Sequence, residues 1–64
     1  MTIYGHKGNI DANKVANAIM KYTSMNKKDA SSLANKIKEG EIVNLESNFL
    51  LEEDFKDMGI LISH

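Results

Sequence analysis

No cysteine occurs among the 64 residues of this chain, so nothing covalent closes its fold, and packing or a partner must hold it together. At this length a domain buries only about 60% of the surface its unfolded chain exposes. That size argues against a large active-site cleft with its own supporting core. The expectation is one domain over residues 1–64 that is not an enzyme, with no catalytic residues, no cofactor and no metal. Without cysteine a thiolate metal site is also out of reach. No apolar run approaches the roughly 18 residues that span a bilayer. The opening Met1-Thr2-Ile3-Tyr4 lacks the basic-then-apolar layout of a signal peptide. The chain is therefore expected in the cytoplasm, with no membrane partner.

Punctuation along the chain divides it into six short elements. Thr2-Ile3-Tyr4 favours a strand, and Gly5-His6-Lys7-Gly8-Asn9 breaks it into a loop. Asp11 is placed to accept the free amides of a first helical turn. Val15, Ile19 and Tyr22 then recur at helical spacing, with Ala12, Ala16 and Ala18 permitting close approach, which predicts a helix over Ala12 to Tyr22. Thr23-Ser24-Met25-Asn26 interrupts it, and Asn26 with Asp29 three residues on resembles a capping box. The second helix carries an apolar stripe of Ala30, Leu33, Ala34 and Ile37. Lys36 and Lys38 suit its negative end, and Gly40 can take the left-handed stop conformation.

Ile42 and Val43 predict a strand over Glu41 to Leu45. Ser47 or Asn48 can cap a third helix whose inner face is Leu51, Phe55 and Met58 and whose first turns hold Glu52, Glu53 and Asp54. Gly59 ends it, and Ile60-Leu61-Ile62 reads as a final strand, buried on both faces or capping the sheet. The order βααβαβ with short connections predicts an α+β fold: a small two-layer sandwich with helices on one face of a three-stranded sheet.

The net charge of -1 hides a polar division. Residues 1–40 hold seven lysines against Asp11, Asp29 and Glu39, a net +4, whereas residues 41–64 hold six acids against Lys56 alone, a net -5. Such a chain either steers an oriented encounter or lets its two parts attract each other within the fold. Lys14, Lys21 and Lys28 repeat at sevens, with Lys27 beside Lys28. Together with Tyr22 and Met25 they make a candidate partner-binding face for an acidic protein surface. Methionine adapts to partner surfaces when it is not simply filling a core. Phe49 poses a similar question, because Leu50 and Leu51 cannot both share its face.

Ala12-Asn13-Lys14-Val15, the stretch Thr23 to Ala30 with Lys28-Asp29-Ala30, and Asp57-Met58-Gly59 before an apolar strand resemble the C-terminal domain of the bacterial ribosomal stalk protein over nearly the whole chain. The resemblance implies the same βααβαβ order and a basic face on the first two helices that recruits GTPase translation factors. Lys28, in the lysine-acid-alanine step, is the residue it carries over most directly. Asn17 and Met20 stand where that family has basic residues, and Ser24 and Asn26 replace the glycines that lead into its second helix. A second, partial resemblance joins Asn26-Lys27-Lys28-Asp29-Ala30 and Lys38 to Leu45 to the helix hairpin and first strand of HU-type DNA-bending proteins. The basic, proline-tipped arms of that family have no counterpart here.

The leading expectation is a small protein-interaction module, and the brevity of the chain suits a phage or mobile-element accessory protein. The alternative is nucleic-acid binding through Gly5, His6, Lys7 and Gly8, a glycine-flanked loop whose free amides and cationic side chains suit an anion. A plain turn is the simpler reading of those four residues, and a solvated helix surface that of the lysine stripe. No arginine is present, which argues against bidentate phosphate or base recognition. Glu52, Glu53, Asp54 and Asp57 have a structural reason at a helix start and no cation-loop pattern around them. Finally, Ile60-Leu61-Ile62 at a sheet edge would allow pairing with a second copy as a homodimer.

Overall fold

The computed structural model describes all of residues 1–64. It has the element order β1 (Thr2–His6), α1 (Ala12–Tyr22), α2 (Lys27–Lys38), β2 (Val43–Asn44), α3 (Phe49–Asp57) and β3 (Ile60–Ser63). The three strands form one antiparallel sheet in the order β2-β1-β3. The α+β order expected from the sequence is the one observed. No helix is long and apolar enough to cross a membrane.

Local chemistry sets the helix boundaries. The Asp11 side chain accepts from Asn13 N–H, that of Asn26 from Asp29 N–H and that of Asn48 from Leu51 N–H, each satisfying an amide that a first turn leaves free. Asn48 rather than Ser47 is thus the cap of α3. The stops are Gly40 and Gly59, at φ +84 and +83.

Alternate residues of the sheet divide by face. Ile3 and Val43 are paired and buried, while Thr2, Asn44 and Ser63 form the polar row on the side away from the core. Thr2 Oγ1 donates to Asn44 Oδ1 at 2.8 Å on that row. The helices α2 and α3 approach the strands directly, whereas α1 packs on α2 and α3. Val15 and Ile19 of α1, Ile37 of α2, and Leu51 and Phe55 of α3 are fully buried in one core with Ile3.

Three boundaries differ from expectation. β1 runs on through Gly5 and His6, which pair with Leu61 and Ile60 after an irregularity between Ile3 and Gly5. The loop therefore begins at Lys7. Cross-strand pairing overrides a weak local break there. β2 shrinks to Val43–Asn44, which oppose Ile3 and Thr2, with Leu45 exchanging hydrogen bonds with Met1 just beyond. β3 is an edge strand, with Ile60 buried and Leu61 and Ile62 only partly so, not a strand covered on both faces.

Gly59 and Gly40 allow a clean comparison. Their φ values are nearly equal, yet a Cβ on Gly59 would stand 3.3 Å from the Lys7 backbone oxygen while one on Gly40 meets nothing within 4 Å. Gly40→Ala is expected to cost about 1–2 kcal/mol from the left-handed backbone alone. Gly59→Ala is expected to cost more, because Lys7 N–H also donates to Gly59 O at 2.8 Å and the start of the β1–β3 ladder must shift. Urea unfolding of the two variants gives the difference.

Candidate functional site

The predicted partner-binding residues gather around the turn between α1 and α2. Thr23 builds that corner: its hydroxyl donates to Ile19 O at 2.6 Å and accepts from Met25 N–H at 3.2 Å. This turns Met25 back toward the domain, where it and Tyr22 are half-buried against the core. Across from them runs the β2–α3 connection. Asn48 reaches over it and donates Nδ2 to Tyr22 O at 3.0 Å while its Oδ1 caps α3. One side chain thereby ties the end of α1 to the start of α3.

Between residues 22–25 and 45–48 lies an open groove of about 360 Å³, with Tyr22, Met25 and Leu45 as its apolar lining and Glu46 as its one acid. Beyond Asn48, Phe49 is 73% exposed and Leu50 57%. The helical turn explains this division: Leu51 points into the core at 0% exposure, so the two residues before it are rotated away from it. Phe49 follows directly on Asn48 of the groove wall, and with Ile42 at 70% it is one of the two most exposed large apolar residues of the molecule.

The lysines surround the corner unequally. Lys21 Nζ lies 5.2 Å from the centroid of the Tyr22 ring, a cation–π distance. Lys27 and Lys28 open α2 immediately after the turn, and both are exposed. Lys14 is exposed on the same stripe of α1 as Lys21, seven residues and about 10 Å earlier along the axis. No acid occurs in α1, so the exposed side of that helix is positive, while Asp29 and Glu46 bring negative charge to the corner itself.

The Gly5–Gly8 segment is arranged differently from a phosphate-cradling loop. Gly5 and His6 belong to β1. The His6 ring stands between two backbone oxygens, Nδ1 at 2.8 Å from Gly8 O and Nε2 at 2.9 Å from Lys38 O. A neutral imidazole has one N–H and donates to one of these at a time. With the proton on Nε2 the ring ties the end of β1 to the end of α2, and with it on Nδ1 the ring closes the local turn onto Gly8 O; Lys7 and Gly8 are the exposed part of the segment.

Glu52 is the residue sequence reasoning placed least well. Among the acids of α3 it is 8% exposed and pairs with His64 Nε2 beyond β3. No group of three or more histidine and acidic side chains converges anywhere as a ligand set. Leu45 and Asn48 were legible only as a strand end and a cap, and nothing local shows that they face Tyr22. Compared with family models, with curated proteins and with solved structures, the chain has no significant match to any of them.

Proposed function

We propose that this chain is a small, non-enzymatic, cytoplasmic protein-interaction module that seats a short acidic segment of another protein, anchored by an apolar side chain, at the α1–α2 corner. The observation that carries this reading is the groove between Tyr22, Met25 and Leu45, with Phe49 exposed beside it. Large apolar side chains near a concave surface are the usual anchors of an interface. Lys21, Lys27 and Lys28, with Lys14 farther along α1, supply the sign that selects an acidic partner and speeds its encounter. The resemblance to the ribosomal stalk C-terminal domain supports the same face, since that family uses its first two helices for recruitment, and it singles out Lys28.

The nucleic-acid alternative has less to stand on. With the His6 ring already bonded and Gly5 in a strand, it rests on Lys7, Gly8 and the lysine stripe, and residues 41–64 carry the wrong sign for a phosphate surface.

The test is retention of partners by the tagged full chain from lysate of the source cell, with and without nuclease. Wild type, Lys28→Glu, Phe49→Ser and a Lys36→Glu control on the far end of α2 are compared. One protein retained after nuclease, weakened roughly tenfold or more by Lys28→Glu and by Phe49→Ser and unchanged by Lys36→Glu, is the expected result. Equal retention by all four overturns the proposal. Loss of all retention after nuclease favours the nucleic-acid reading instead.

A further inference from the structure

The free edge of β3 has a specific complementarity to itself. Lys7 N–H donates to Gly59 O at 2.8 Å, and Gly5 pairs with Leu61 and Thr2 with Ser63. In an antiparallel ladder the residues of one strand alternate between turning their N–H and C=O toward the neighbour and away from it. Gly59, Leu61 and Ser63 face β1, so the amides and carbonyls of Ile60 and Ile62 point outward. No strand lies beyond β3, and its only neighbouring elements are β1 and α3.

Edges of this kind are normally blunted by a lysine, a proline, a bulge or extreme shortness. β2, the other edge, is only two residues long. β3 has none of these devices: Ile60-Leu61-Ile62-Ser63 carries no charge, and the sheet irregularity lies in β1. The charges around the edge are also ordered. Lys7 and Lys56 flank a shallow cleft of about 270 Å³ at the Gly59 end. The Glu52 carboxylate stands at the opposite end, beside His64.

We infer that β3 pairs with β3 of a second copy, antiparallel about a two-fold axis through Leu61, joining two sheets into one of six strands. Only one short register satisfies the outward groups. Ile60 exchanges both hydrogen bonds with Ile62 of the second copy and Ile62 with its Ile60, while Leu61 meets its twin across a non-hydrogen-bonded position. The same rotation sets Gly59 of each edge against Ser63 of the other, so the two Lys7–Lys56 ends stay apart. Leu61, half-exposed against Gly5 on the outer face, gains a covering neighbour. This surface is separate from the α1–α2 corner and does not depend on the function proposed there.

The register is testable because the chain has no cysteine of its own. Facing residues at a non-hydrogen-bonded position have Cα atoms about 4.5 Å apart, within disulfide range. Leu61→Cys is expected to form a covalent dimer rapidly in mild oxidant, and Ser63→Cys is expected not to. Sedimentation equilibrium of the wild type from roughly 10 µM to 1 mM, the range suited to a contact below standard interface size, should show a reversible dimer. Leu61→Lys sets like charges directly opposite and should weaken it roughly tenfold or more, with circular dichroism confirming that the domain stays folded. A wild type that is monomeric throughout, a dimer indifferent to Leu61→Lys, or equal crosslinking at positions 61 and 63 overturns the inference.

Discussion

Replacing Phe55 by alanine is expected to remove a third or more of the stability of this chain at 25 °C. Phe55 is fully buried, and it is the largest side chain of the core. Truncating such a phenylalanine costs about 3–5 kcal/mol, the lost transfer energy plus the cavity left behind. A domain of this size has little to set against that: at about 0.05–0.15 kcal/mol per residue, its whole stability is on the order of 3–10 kcal/mol. Neighbouring side chains cannot collapse easily into the space, because Ile3, Val15, Ile19, Ile37 and Leu51 are already fully buried. Leu50→Ala, five residues away on the exposed side of the same helix, is the control and should change stability by less than about 0.5 kcal/mol. Urea titrations followed by circular dichroism give both values. A Phe55→Ala protein that unfolds at the same urea concentration as wild type would show that α3 is not docked as described.

Asn48→Ala is expected to be nearly as damaging, although the residue is not in the core. Two roles are lost together: the cap on Leu51 N–H and the donation to Tyr22 O. Removing an asparagine cap costs about 1 kcal/mol, and leaving a partly buried carbonyl without its donor adds roughly 1–2 kcal/mol. The expected total is about 2–3 kcal/mol. Asn48→Asp separates the contributions, since a carboxylate still caps the helix but cannot donate to Tyr22 O. It should recover the cap and not the clasp. Equal stability of Asn48→Asp and wild type in urea would show that the bond across the groove contributes nothing.

What could be read in the sequence was what is decided within a few residues. Asp11 and Asn26 cap helices because an oxygen close to a free amide needs no information from elsewhere, and Gly40 and Gly59 stop helices because few other residues tolerate their φ. The apolar spacing of Val15, Ile19, Ala30, Ala34 and Ile37 marked the inner faces for the same reason. Strand limits were less legible, because they are set by partners far along the chain: Gly5 and His6 are extended since Leu61 and Ile60 lie opposite. The candidate site divides in the same way. Tyr22, Met25 and the lysines were identified from their own neighbourhood. Leu45 and Asn48, which form the other wall of the groove, became visible only once the β2–α3 connection was laid beside the corner. Glu52 was misplaced because a helix N-terminus explains an acidic residue so well that burial gave no separate signal.

The position of β1 governs when this domain can exist at all. It is made first, yet it is the middle strand, and its neighbours are β2 and β3. During synthesis at about 5–20 residues per second, Ile3 waits several seconds for Ile62 to be added and longer for it to clear the ribosome. In that interval the helical hairpin has no finished sheet to rest on, and both sides of β1 are open to chaperones, proteases and other nascent chains. A chain that stops before β3 lacks the longer of the two ladders on β1 and the Ile60 share of the core, and is expected to fold poorly.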